Sequence, residues 1–145
     1  MRLLPLEQRV IEDLARWYGP PGSKRYRAAL RALPAWLVRL RLELESGRQG
    51  DWELCEEREH ERLAGCWRAY FSPWDKPTAR GGVAIAAGGH DDRIIVEVLM
   101  HQGEPSVRVL AVGPKYAGSG EGREAWVYRQ ADRRRQRPYG QKGGR

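Results

Sequence analysis

The chain has 145 residues, 41% of them apolar, which suits one globular domain with a real core and argues against wholesale disorder. No run approaches the roughly 18 apolar residues of a membrane span, and the N-terminal segment has no signal-peptide core, so a cytoplasmic protein with no membrane partner is expected. The net charge is +7, and all of it falls after residue 106: residues 107–145 carry 10 Lys/Arg against 3 Asp/Glu, while the residues before them balance.

Leu6, Val10, Leu14 and Trp17 recur at helical spacing between charged residues and predict an amphipathic helix of about three turns. Gly19-Pro20-Pro21-Gly22 stops it. Ser23 is placed to cap a second helix from Lys24, which Pro34 should kink or split and Ser46-Gly47 should end. Two helices on a short Pro/Gly loop predict a helical hairpin, with Trp17, Tyr18 and Trp36 in its core. Residues 51–62 are acidic, interleaved with Arg58 and Arg62, and predict a short solvated helix.

From residue 63 the texture changes. Cys66 to Phe71 is aromatic-rich and predicts a strand. Residues 72–92 form a long loop rich in Pro and Gly, with a short strand at Val83–Ala87. Arg93–Met100 and Ser106–Val112 are β-rich runs around the turn at His101–Pro105, and predict an antiparallel hairpin. Gly113-Pro114 ends it, and Gly118–Gly122 is a flexible loop. Ala125–Arg135 predicts a short, very basic helix. Residues 136–145 are expected as a flexible basic tail behind a single domain at 1–135. Segregated helices and an antiparallel sheet make the fold class α+β.

Cys55 and Cys66 are too few for a disulfide scaffold and are expected as reduced, partly buried thiols. Cys55, His60 and Cys66 have no recognised ligand spacing, so no metal is expected. There is no nucleophile elbow, no zinc-protease helix and no ordered phosphate loop, so no cofactor is implied either. A cationic and phenolic set remains. Arg93 opens one strand, Lys115 follows the next, and Tyr128 with Arg129 lies on the last helix. Hairpin geometry brings the start of the first strand near the end of the second. Such a set suits RNA cleavage, because RNA carries its own 2′-hydroxyl nucleophile. The protein must supply a base and cations for the charge gathering on phosphorus. A tyrosine serves as base when adjacent cations lower its pKa.

The motifs resemble those of the RelE-type toxins of bacterial toxin–antitoxin pairs, a superfamily that includes YoeB, HigB and ParE. Arg62-Leu63-Ala64-Gly65 before Trp67-Arg68-Ala69-Tyr70 resembles the family's K-L-x-G and strand. Arg93-Ile94-Ile95-Val96 resembles its Y-R-L/I-V-Y strand. Val109 to Lys115 resembles its V-x-x-V-G-K/H-R strand, and Val127 to Arg134 its V-Y-x-x-A-x-x-R terminus. The resemblance implies a helical hairpin packed on a small antiparallel sheet, with a short basic C-terminal helix. It implies a metal-independent endoribonuclease that cleaves mRNA on the ribosome by 2′-hydroxyl attack, held by a cognate antitoxin protein. It carries over Arg93 and Lys115 as charge stabilisers, the latter where the family usually has Arg, and Tyr128 as base or orienting group. Arg68 falls near a basic position that activates the hydroxyl or grips the backbone. Lys76, Arg80, Arg129, Arg133 and Arg134 join it as candidate RNA contacts. The loops at 72–92 and 116–127 are longer than the family's. Two other readings stay open: a non-catalytic toxin of this superfamily acting on gyrase by protein contact, and a basic module that binds RNA or a polymerase.

Overall fold

The computed structural model describes residues 1–48, 50–55, 61–88, 90–118 and 124–140. Helix α1, Gln8–Tyr18, buries Val10, Asp13, Leu14 and Tyr18, the face that the apolar periodicity selects. Helix α2 runs unbroken over Lys24–Ser46. The Ser23 hydroxyl accepts the Tyr26 N–H at its start, and Gly47 takes the left-handed conformation at its end. Pro34 was expected to kink or split this helix, yet it stays one element. Pro34 lies on the exposed side, and the carbonyl that lacks its N–H partner belongs to Leu30, which is itself exposed to water.

The main sheet has five strands. In chain order they are β1 (Arg2–Leu3), β2 (Glu53–Leu54), β3 (Trp67–Phe71), β6 (Asp92–His101) and β7 (Glu104–Pro114). Two short ribbons complete the strands: β4 (Lys76–Pro77) with β5 (Val83–Ala84), and β8 (Tyr116–Ala117) with β9 (Glu124–Ala125). Helix α3, Trp126–Arg135, closes the fold, which is α+β with three α-helices among the described residues. The order across the main sheet is β1-β7-β6-β3-β2. The sheet was expected to be antiparallel and is mixed: Arg2 and Leu3 run parallel to Ser106 and Val107. Two residues are too few to show a strand period, so only the long-range pairing reveals β1.

The expected hairpin forms as β6 and β7, extended by a residue or two at each end. The predicted acidic helix does not form where it is described. Glu53 and Leu54 pair with Arg68 and Trp67 as an edge strand, and Glu61–Leu63 is a single 3-10 turn. Burial of Trp52 and Cys55 on either side fixes that strand. Residues 56–60 of the predicted helix, most of the glycine loop and residues 141–145 of the tail lie outside the described residues. Residues 136–140, expected as loose tail, are tied to the body. Tyr139 donates to the Pro5 carbonyl at 2.8 Å and stacks edge-on against His101, and the Arg137 carbonyl accepts from Arg108.

The sheet has two covered faces. Ala69, Phe71, Ile94, Val96, Val107, Val109 and Val112 meet α1 and α2 in the larger core. Ile95, Leu110 and Ala111 meet Trp126, Val127, Tyr128 and Ala131 of α3 in a smaller one, which also holds Cys55 and Cys66. A register shift between Ile95 and Val96 leaves Leu110 as the extra residue of β7. Gly113 permits a close approach of the strand to two indole rings, since a Cβ there would lie 2.6 Å from the Trp126 ring and 2.9 Å from Trp17 Nε1. Gly113→Ala is expected to push Trp126 off its seat and lower stability by about 1–3 kcal/mol, readable as a drop in denaturation midpoint.

Cys55 and Cys66 are both buried, opposite each other beside the facing ends of β2 and β3, with the Cys55 N–H on the Cys66 carbonyl at 2.8 Å. Burial pushes the Cys66 thiol up to about 12. Ionisation is thus disfavoured in the folded state. Stability should fall as pH rises past the ordinary thiol value of about 8.5 and the unfolded chain begins to lose its proton. Maleimide labelling at pH 8 should be slow in the native protein and complete in denaturant; rapid native labelling would contradict this burial.

Candidate nucleic-acid interface

Strand alternation sorts the candidate residues. In β3, Trp67, Ala69 and Phe71 point to the helical pair, so Arg68 and Tyr70 point to the α3 side. Across the next pairing, Tyr70 faces Arg93, and Arg93 in turn faces Gly113. Arg68, Tyr70 and Arg93 therefore share one sheet face, and α3 lies over the same face.

Tyr128 is 6% exposed, its ring set in the smaller core. Its hydroxyl accepts from Arg68 Nη1 at 3.3 Å, while Arg68 Nη2 reaches Glu53 at 3.3 Å. Burial works against the Arg68 cation, but the Tyr128 hydroxyl, Cys55 and Glu53 together hold it above the usual guanidinium value. Arg68 is thus a fixed cation between an edge-strand carboxylate and a phenol. Arg93 is held differently. Its guanidinium lies 4.0 Å over the Tyr70 ring, and Nη1 donates to the carbonyls of His90 and Asp92, each at 3.1 Å. Neighbouring Asp92 accepts from the Tyr18 hydroxyl at 2.6 Å, and burial pushes both groups up.

The His90 carbonyl is placed by a buried hub. Asp75 accepts from Trp36 Nε1, the Ser72 and Ala86 amides, and His90 Nε2, all at 2.9–3.0 Å. The loop after β3 therefore returns to the body and delivers His90 beside Arg93. Lys115 follows β7, with its amide on the Asp91 carbonyl and its own carbonyl on the Trp126 amide. These two bonds tie the end of the hairpin to the start of α3. The Lys115 ammonium sits 5.3 Å from the Tyr116 ring.

The structure thus brings Arg93 and Lys115 to one end of the sheet, as hairpin geometry predicted, and sets Arg68 with Tyr128 on the same face two residues along β3. Other predicted contacts part company with this group. Lys76 and Arg80 belong to the β4–β5 ribbon, which packs on α2, with Gly81 against Leu42 and Val38. Arg134 turns inward: it forms a two-pronged pair with Asp13 at 2.6 and 2.9 Å and donates to the Leu110 carbonyl. Its role is to join α3 to α1 and β7, so it is not an open RNA contact. Arg129 and Arg133 stay on the exposed side of α3.

Sequence reasoning gave no role to Tyr70, Glu53 or the Asp75–His90 pair. Tyr70 was the readable one, since period-2 alternation puts it on the face of Arg68. Asp75 was not, because its partners are spread from Trp36 in α2 to Ala86 and His90 at the far end of its own loop. A groove of about 640 Å³ opens beside Arg68, between the end of α2 and β2, lined among others by Arg48, Trp52, Glu53, Leu54 and Trp67. Arg68 is the one candidate residue that lines it. Among the described residues, no three His, Cys, Asp or Glu side chains gather as a metal site, and no helix is long and apolar enough to cross a membrane. No family model, no curated protein and no solved structure matches the chain, so the site is read from its own geometry.

Proposed function

We propose that the chain is a RelE-type toxin, a metal-independent endoribonuclease that cleaves mRNA on the ribosome and is restrained by an antitoxin protein. The observation that carries this reading is the Arg68–Tyr128 contact at 3.3 Å on the sheet face that also bears Arg93. Three cations from three separate segments, with one phenol, flank one stretch of sheet. A helical pair covers one face and a basic helix the other, an arrangement that belongs to the same proposal.

In this reading Tyr128 serves as the base for the 2′-hydroxyl, with Arg68 donating to its oxygen. The freed oxygen attacks phosphorus and the bond from phosphorus to the 5′-oxygen breaks. Arg93 and Lys115 carry the charge that grows on the phosphoryl oxygens, and the leaving oxygen takes a proton from water. The products are a 2′,3′-cyclic phosphate and a 5′-hydroxyl. Purified protein is to be added to translating ribosomes, with Arg93→Ala, Lys115→Ala and Tyr128→Phe beside the wild type. The expected result is cut mRNA with cyclic-phosphate ends for the wild type and much slower cutting for each variant. Intact mRNA with the wild type sinks the proposal; gyrase-dependent DNA damage in its place selects the protein-contact reading.

A further inference from the structure

Three large aromatic side chains stand in solvent at the end of the sheet where β3 ends, β6 begins and β7 ends. Tyr70 is 48% exposed, Trp74 45% and Tyr116 44%. Exposed aromatics gathered at one place are informative where scattered ones are not. Two of them lie under cations, Arg93 at 4.0 Å from Tyr70 and Lys115 at 5.3 Å from Tyr116. None of the three has a part in the cleavage chemistry proposed above.

We infer that this aromatic–cation rim is a stacking surface for the bases of single-stranded RNA, with Tyr70 and Tyr116 as its platforms. The inference rests on the RNA-cleaving reading and adds what holds the bases while Arg93 and Lys115 hold the phosphates. A flat ring beside a fixed cation offers a nucleotide both of its needs, a π-face for the base and positive charge for the backbone. Paired bases hide their faces in the duplex, so the surface selects unpaired strands. Tyr70 and the end of β7 lie two strand spacings apart, roughly 10 Å, so more than one base can be engaged. An apolar protein partner would have to strip water from both cations, which disfavours it here. Stacking of this kind tolerates any base, so the rim fixes strandedness more than sequence.

The test is binding of a fluorescent oligoadenylate, 2′-O-methylated so that it has no attacking hydroxyl, titrated across a range of salt. Tyr70→Ala and Tyr116→Ala are each expected to weaken binding by roughly ten-fold and to leave the slope of log affinity against log salt unchanged. Tyr70→Phe should bind like the wild type. Lys115→Ala should flatten that slope by about one phosphate contact. Melting curves of the alanine variants should match the wild type, because both rings are exposed. Wild-type-like binding by both alanine variants overturns the inference and leaves the RNA reading standing. No binding by the wild type removes both. Loss of a wild-type self-association in Tyr70→Ala, seen by sedimentation, shows a protein interface and also overturns it.

Discussion

Arg108→Ala is expected to cost the fold about 3–5 kcal/mol, the largest effect of any single substitution considered for this chain. Arg108 is 1% exposed. Its guanidinium donates to Glu7 at 2.7 Å, to Glu97 at 3.1 Å and to the Arg137 carbonyl at 2.6 Å. The three acceptors come from the segment before α1, from β6 and from the residues after α3. Removing the arginine takes the ion pair from the Glu7 carboxylate, 12% exposed, and leaves it the Gly140 N–H at 3.3 Å, whereas Glu97 keeps Arg135 at 3.3 Å. At roughly 3–4 °C per kcal/mol for a domain of this size, the melting temperature should fall by about 10–20 °C. Urea denaturation followed by tryptophan fluorescence measures it. A loss below about 1 kcal/mol would mean that water enters this network and screens it. Arg108→Met with Glu7→Gln should recover part of the loss, because the cost lies in the unpaired charge.

Tyr128→Phe should do the reverse, leaving stability nearly unchanged and the proposed mRNA cleavage almost abolished. The ring that fills the smaller core stays, and only the hydroxyl that accepts from Arg68 is lost. The expected stability change is about 1 kcal/mol, the usual worth of one partly buried hydrogen bond. Cleavage should slow by about a hundred-fold or more, the usual contribution of a positioned proton acceptor. Both readings come from one preparation: a melting curve and a time course of mRNA cutting on ribosomes. Wild-type cutting by Tyr128→Phe would remove Tyr128 from the chemistry. An equal fall in folding and cutting would make it a packing residue.

The contrast between these two residues shows what can be read from the sequence. Tyr128 stood out as a phenol near the start of a helix rich in arginine. Arg108 did not, because an arginine in a β-rich run looks the same whether it meets water or a buried carboxylate. The same blindness assigned Arg134 to RNA, when it pairs with Asp13. Elements with many periods were legible, namely α1, α2, α3 and the β6–β7 hairpin. Elements of two residues were mostly not, since β1, β2, β4, β8 and β9 exist only through their pairing; β5 is the exception, forming at Val83–Ala84 within the short strand expected over Val83–Ala87. Glu53 illustrates this: acidic neighbours suggest a solvated helix, yet Trp52 and Cys55 bury on either side and draw the segment to β3. The convergence of Arg93 and Lys115 followed from hairpin geometry alone. That Arg68 meets Tyr128 required knowing which face of the sheet α3 covers.

The extra residue in β7 sets a parity rule for that strand. Before it, the odd positions Val107 and Val109 face the helical pair; after it, the even position Val112 does. Leu110 and Ala111 both turn to α3. Because the bulge takes up the extra residue, Val112 stays opposite Ile94 and Gly113 opposite Arg93, with Gly113 under Trp126 and the exit to Lys115 just beyond. Deleting Leu110 would return Val109 and Ala111 to plain alternation and leave Val112 and Gly113 on their present faces, whereas an insertion that the bulge does not absorb would exchange the inside and outside addresses of the strand's last residues. A frame of alternation, more than any one side chain, keeps the cationic end of the sheet on the face of α3.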